Sequence, residues 1–371
     1  MSEAETDSYG LSNVVSGAEV AAPTLPYLPR EPQHYRPAIG LVGCGGIAAQ
    51  HLAAYRAAGY RVVALCDRNL HKVQERVATY FPDAAAYTDV AQLLARDDIE
   101  VVDLTPHPHD RADMIAAALD AGKHVLSQKP FVLDLDVGER LVELADRRGL
   151  RLAVNQNGRW APHFAYLRAM IQAGLLGDLT SVRCSAGFDH SWTIETPFNR
   201  VRDLVLFDFA IHWFDIITAF FGERAPQRVF ATSAHAIGQR AWPPFLAHAT
   251  IDYGDALAAI AFNATVVYGQ HDRTTICGTL GTAVSQGPSL SEQQVTIDTA
   301  AGTSRPALTG TWFREGFHGT MAELLCAIEE RREPANGARE NLRSLALAFA
   351  AVASERTGAA AVPGSIRRLP A

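Results

Sequence analysis

Apolar and polar positions along this chain change rhythm near residue 157. Before that point, short apolar runs at 38–42, 61–66, 84–88, 99–104, 124–127 and 151–155 alternate with amphipathic stretches at 47–58, 70–80, 89–96, 109–121 and 134–148. Unbroken apolar runs suit strands buried on both faces, and a 3.6-residue period suits helices, so the alternation predicts a doubly wound parallel sheet. Gly59, Gly122 and Gly149 stand where helices of that set should end. A helix at 162–173, closed by Gly174, then leads into a different regime. Runs at 180–188, 227–235, 246–253, 256–267, 272–279 and 292–298 have β-propensity, and several alternate apolar with polar, as in His248-Ala249-Thr250-Ile251-Asp252-Tyr253. Period two predicts antiparallel strands with one face buried. A long apolar helix at about 203–221 interrupts them, and helices return at 317–331 and 338–357, with Gly358 as a stop. The reading is an α/β domain over 37–157 and an α+β domain with a large, mostly antiparallel open sheet over 158–371, whose last helices are available to pack back on the first domain.

The first strand ends in a glycine turn, Gly43-Cys44-Gly45-Gly46-Ile47-Ala48, and the second closes on Asp67. Strand, G-x-G-x-x-A turn, helix, strand and acid together predict a Rossmann dinucleotide site. Gly43 permits the tight turn, Gly45 and Gly46 let the backbone approach a pyrophosphate, and the small Ala48 lets the helix pack closely. Ile47 opens that helix, whose first N–H groups and positive dipole face the phosphates. Asp67 is expected to accept from the adenosine ribose hydroxyls and to repel a 2′-phosphate, which favours NAD over NADP. Arg68 beside it partly offsets that preference.

Composition narrows the classes. A net charge of −7 supplies no basic excess for nucleic-acid phosphates. No run of about 18 apolar residues is free of charge, since even 204–221 carries Asp208, His212 and Asp215; no membrane partner is expected. Five scattered cysteines without a C-x-x-C pair predict free thiols and a cytoplasmic location. Prolines at 23, 26, 29, 32 and 37 predict an extended arm over residues 1–36, its first 20 residues a disordered tail. Whether residues 21–36 lie across a neighbouring subunit is open at this point.

Three constellations carry chemistry. Thr105-Pro106-His107-Pro108-His109 follows a buried strand at the carboxyl edge, where ligands sit in open α/β sheets; Thr105, Pro106, His107 and His109 are expected to line the cofactor. The His-x-His spacing lacks the partners a metal site needs. Gln128-Lys129-Pro130 ends another strand on the same edge, placing Lys129 to stabilise a developing alkoxide. Asp208, His212 and Asp215 recur at i, i+4 and i+7, one face of a helix otherwise crowded with Phe207, Phe209, Trp213 and Phe214. Asp208 is expected to orient His212, which suits proton transfer. Trp160, Phe188 and Trp192 are candidates for stacking on a sugar or for plain core. Arg183, Arg200 and Arg202 are candidates for an anion or for solvent.

GCGGIA at 43–48, CD at 66–67, TPHPH at 105–109, AGKHVLSQKP at 121–130 and DFAIHWFD at 208–215 together resemble the Gfo/Idh/MocA oxidoreductases, over about residues 37–364. The resemblance implies an NAD(P)-dependent enzyme of sugars, polyols and their derivatives, a homodimer or homotetramer built through the C-terminal sheet. Lys129 matches the lysine of the family's E-K-P signature, Asp208 and His212 its D-x-x-x-H pair, and Arg159, in Asn157-Gly158-Arg159-Trp160, a polar position near the sugar. Asn157, Arg159 and Trp160 are therefore expected to bind substrate. Gln128 stands where the family has glutamate, and Val205, Leu206 and Phe207 stand where it has a glycine-rich approach. The implied reaction moves a hydride between a secondary hydroxyl and nicotinamide, with His212 taking the proton and Lys129 steadying the alkoxide. A glycosidase or lyase that retains NAD and oxidises its substrate transiently is the alternative, as is a non-catalytic sugar sensor.

Overall fold

The computed structural model describes residues 17–370. Six parallel strands, β1 (Ala38–Val42), β2 (Arg61–Cys66), β3 (Ala85–Tyr87), β4 (Ile99–Leu104), β5 (His124–Gln128) and β6 (Leu152–Asn155), form a sheet in the order β3-β2-β1-β4-β5-β6. All five residues of β1 are buried, as expected for a central strand covered on both faces. Helices α1 (Ala48–Ala58), α2 (Leu70–Tyr80), α3 (Val90–Leu94), α4 (Pro108–Asp120) and α5 (Leu135–Arg148) make the crossovers. Strand order reverses between β1 and β4, and a crevice opens at that switch point beyond their carboxyl ends.

Helix α6 (Pro162–Gln172) leads to a second sheet of eight strands. These are β7 (Leu179–Gly187), β8 (Arg228–Ala234), β9 (Leu246–Asp252), β10 (Leu257–Asn263), β11 (His271–Gly278), β12 (Gly281–Gly287), β13 (Gln294–Thr299) and β14 (Gly302–Ser304), ordered β14-β13-β12-β11-β7-β10-β9-β8. Only β7 and β10 run parallel. Strands β12 and β14 escaped the sequence reading. The inward residues of β12 are Ala283 and Ser285, too small and too polar to show an apolar alternation.

The long helix expected at 203–221 is two pieces. Residues Leu204–Phe209 wind as a wide π-helix, with Ala210 N–H bonded to the Val205 carbonyl at 2.9 Å, and α7 (Ile211–Phe221) follows as an ordinary α-helix. By length and composition Leu204–Phe221 passes as a membrane span, but 83% of it is buried inside the fold. Helices α8 (Arg314–Glu329) and α9 (Ala338–Thr357) close the chain. Phe317, Met321, Leu324 and Leu325 of α8 share one core cluster with Ile39, Leu41 and Leu52 of the first domain.

Residues 17–36 lie on their own chain. Residues 18–20, expected in the tail, pair instead with β14: Val20 N–H bonds the Thr303 carbonyl and Thr303 N–H the Ala18 carbonyl, at 2.8 and 3.0 Å. Tyr166 of α6 donates to the Pro23 carbonyl at 2.6 Å, and the Glu329 carboxylate collects the N–H groups of Gln33, His34 and Tyr35 at 2.6–2.8 Å. Residues 1–16 of the expected arm lie outside the described residues.

Candidate active site

The crevice at the switch point encloses about 680 Å³ and is lined by Gly43, Gly45, Gly46, Ile47, Asp67, Arg68, Thr105, Pro106 and His107, among others. Gly43 has φ 91°, and a Cβ there would stand 2.6 Å from Thr105 Oγ1, so both backbone and space demand glycine. Thr105 Oγ1 donates to the Gly43 carbonyl at 2.7 Å and ties the two turns together. A Cβ at Gly45 or Gly46 would meet no protein atom within 4 Å, and both glycines line the crevice. Helix α1 starts there without a side-chain cap. A cradle of this kind, floored by backbone and facing an uncapped helix start, fits a pyrophosphate. Asp67 is held at its rim by the N–H groups of Cys44 (2.8 Å) and Asn69 (2.9 Å), leaving lone pairs for ribose hydroxyls. Arg68 is 91% exposed in its side chain and leans towards Asp110 at 3.7 Å.

Ala48 is fully buried, as close helix–sheet packing requires, and stands behind the cradle. His109 is exposed within the first turn of α4, and the crevice lining includes His107 but not His109. Gln128 is also buried: its Oε1 accepts from the Lys129 N–H at 2.7 Å and from Asn155 Nδ2 at 3.0 Å, so it positions the lysine from behind.

Lys129 emerges from the end of β5, next to the end of β4. Its Nζ donates to Asp208 Oδ1 at 2.5 Å and to the Asp208 carbonyl at 2.9 Å, with both side chains only 16% and 13% exposed. His212 opens α7, and its ring lies edge-on to Trp312 at 5.4 Å with a buried Nδ1 that has no hydrogen-bond partner. Burial first, then the nearby Lys129 charge, hold its pKa well below the usual histidine value. The imidazole is therefore neutral at physiological pH. Among the described residues, Asp208 makes no hydrogen bond to His212; it pairs with Lys129. The i, i+4 argument assumed one regular helix, and the π-turn at 204–209 rotates Asp208 away from that register.

Asp215 shares the regular helix α7 with His212, but its carboxylate is engaged inside the fold. Asp215 is 1% exposed and receives Arg159 Nε at 2.6 Å and Nη2 at 2.8 Å, with Ser344 Oγ at 2.9 Å. Arg159 Nη1 donates to the Ala335 carbonyl at 2.6 Å, so its guanidinium is spent inside the fold and is not available to a substrate in the crevice. Trp160 is buried beneath Arg168, whose guanidinium lies 5.0 Å from the indole, and Asn157 is buried, its Nδ2 bonded to the Trp312 carbonyl at 3.4 Å. All three were expected to bind substrate; like Lys129, Asp208 and His212 they lie outside the crevice lining, but they are buried and engaged by protein partners.

The second domain supplies a wall instead. Trp192 and Phe198 line the crevice, and their rings, 5.7 Å apart, each lie 6.3 Å from Phe209, the neighbour of Asp208. His190 lies 4.6 Å from Phe209 on the same cluster. Phe188 packs against the core. Phe198 and Trp312 had no sequence signal beyond being aromatic.

Two polar supports were also missed. Arg111, buried in α4, donates to the carbonyls of Pro106 (2.8 Å) and Pro130 and so clamps the turns bearing the crevice and Lys129. An arginine on a helix face that must pack inward was the available signal. Behind the glycine turn, Asp103 accepts from Tyr55 Oη and His51 Nδ1, each at 2.7 Å, and His51 Nε2 accepts from Asn155 at 3.3 Å.

Comparison with known proteins agrees with this architecture. Residues 38–156 match the oxidoreductase family model described as an NAD-binding Rossmann fold, and residues 164–284 match the Gfo/Idh/MocA C-terminal domain. D-apiose dehydrogenase of Paraburkholderia graminis is 25% identical over 334 residues, 86% of this chain and 87% of that protein. Inositol 2-dehydrogenase of Rhizobium meliloti is 26% identical over 325 residues, 85% of this chain and 96% of that protein. Among solved structures, an Agrobacterium radiobacter oxidoreductase in complex with NAD+, L-tartaric acid and magnesium superposes with a TM-score of 0.80 at 20% identity, covering 89% of this chain and 99% of that one.

Proposed function

The chain belongs to the Gfo/Idh/MocA oxidoreductases, and from that premise we propose that it dehydrogenates a secondary hydroxyl of an uncharged sugar or cyclic polyol. One observation carries the reading: an ammonium, its carboxylate partner and a neutral imidazole within reach of the ammonium's charge lie at the sheet edge that carries the dinucleotide crevice, outside its lining. When bound, nicotinamide supplies hydride acceptance. His212 takes the hydroxyl proton on its neutral ring. Lys129 steadies the alkoxide as charge develops, and Asp208 holds the ammonium in place. Asp67 supports NAD as the preferred cofactor, with NADP accepted less well. The dehydrogenases among its relatives favour net hydride transfer over an internal redox cycle or a sensor.

The charge balance supports a neutral substrate. Asp208 already cancels Lys129, and Arg159 is engaged by Asp215. Arg202 leans on Glu355 at 3.5 Å, while Arg183 and Arg200 are exposed outside the crevice lining. Trp192, Phe198 and Phe209 offer faces suited to the C–H side of a ring. Exposed Phe230 and Leu257 on the second sheet support its outer face as the contact between copies in a homodimer or homotetramer. Five unpaired cysteines support a cytoplasmic setting.

The test follows nicotinamide absorbance with NAD or NADP and a panel of inositols, aldoses, glycosides and sugar acids, with Lys129→Ala alongside. Reduction dependent on a neutral ring substrate and absent from the variant is expected. Preference for sugar acids, or cofactor binding without turnover on any polyol, would overturn the reading.

A further inference from the structure

A second cavity, of about 690 Å³, shares no lining residue with the dinucleotide crevice. The arm forms one wall through Pro26 and Leu28, and α6, α8 and the ends of α7 and α9 form the rest. Four arginines reach it, and three are already satisfied. Arg30 bonds Glu330 at 2.7 Å, Arg332 bonds Glu323 at 3.2 Å through Nη2, and Arg159 is engaged by Asp215. The carboxylates are occupied too. Glu323 also accepts the Ala335 N–H at 2.7 Å, Glu340 holds Arg343 at 3.0 Å, and Glu333 lies 3.7 Å from Arg151.

Arg168 is the exception. Among the described residues it makes no hydrogen bond and no ion pair; its one contact of note is the Trp160 indole beneath it. Burial, reinforced by the like charge of Arg159 and partly offset by the carboxylates of Glu323 and Asp215, pulls its pKa down to about 10, so the guanidinium remains charged while no carboxylate among the described residues pairs with it directly. Its side chain is half-buried on the Trp160 indole and its donors reach the cavity unused. The planar fork of donors matches a carboxylate or phosphate. The volume is that of a small-molecule site, and Pro26 and Leu28 give it an apolar side.

We propose that this cavity is a second ligand site, which takes a small metabolite through a carboxylate or phosphate group held by Arg168, with the ligand's hydrocarbon against the arm.

The test uses the full chain at constant ionic strength, with inorganic phosphate and citrate as probes, chloride as control, and thermal shift and titration calorimetry as readouts. In the parent protein and in Arg168→Lys, one probe should bind saturably and raise the melting temperature. In Arg168→Gln its affinity should fall about tenfold or more, roughly 1.4 kcal/mol, while NAD affinity stays unchanged. The probe that binds tells a phosphate ligand from a carboxylate one. Should Arg168→Gln fail to fold, Leu28→Glu places a tethered carboxylate on the opposite wall and should abolish probe binding with Arg168 intact. Equal binding in parent and variant, or no saturable response to either probe, overturns the proposal.

Discussion

Two ion pairs tie the segment 204–221 to the rest of the molecule, seven residues apart, and they end in opposite states. Arg159–Asp215 is two-pronged, 5% and 1% exposed, and reinforced by Ser344, so Asp215 has little capacity left for a ligand. Lys129–Asp208 touches through one carboxylate oxygen, keeps some exposure, and among the described residues Asp208 has no other side-chain hydrogen-bond partner. Residue types and spacing put both aspartates on one helix face and made them look alike. What separates them is saturation: a fully bonded pair holds a fold, and a partly bonded one beside a cleft is free to work.

The largest expected effect breaks the structural pair. Arg159→Ala leaves the Asp215 charge buried without its partner and should cost about 3–5 kcal/mol in denaturant unfolding; a variant as stable as the parent would remove the contrast. Lys129→Ala should instead melt like the parent, bind NAD normally and lose about 10²–10³ in kcat. Because His212 is kept neutral by burial and by Lys129, the parent's kcat should persist as pH falls through the usual histidine range, where an ordinary imidazole base would fail.

Groups with no ionic partner sharpen the comparison further. Asp272 is buried, accepts only Trp213 Nε1 at 3.2 Å, and has its pKa pushed up to about 7 by burial. A carboxyl raised in the folded state binds its proton more tightly there than when unfolded. Stability from it is present at low pH and lost as pH rises towards 7, so Asp272→Asn should stabilise the protein at pH 8 by about 1–3 kcal/mol, and not at pH 3. Near neutral pH the smallest effect concerns His163, whose pKa burial lowers to about 3. The unfolded chain takes up that proton first. Stability should therefore fall below pH ~6.5 by at most about 1.4 kcal/mol per pH unit, and His163→Phe should remove that share. Chemical denaturation across pH measures both.

Much of the nucleotide half was legible because its signals are local. A fully apolar β1, a glycine turn and a terminal aspartate each follow from a few adjacent residues, and Gly43 meets Thr105 because parallel strands bring their carboxyl ends to one edge. Asn157, Arg159 and Trp160 were misplaced because a motif shows that residues are polar or aromatic, not which way the short 3₁₀ turn at 157–160 turns them. The i, i+4, i+7 face failed at a π-turn, which no apolar period announces. Arg111 and Phe198 were missed because their partners lie in other segments.

The sequence by itself determined the two sheets, the dinucleotide cradle and the presence of Lys129, Asp208 and His212 as reactive groups. Only the tertiary structure decided that Asp208 serves Lys129, that Asp215 is consumed by Arg159, and that Arg168 lines a cavity with no direct ion pair among the described residues. Periodicity and turn chemistry are properties of neighbouring residues. The partner a buried charge finds depends on which distant segments packing brings within about 3 Å, where hydrogen bonds form.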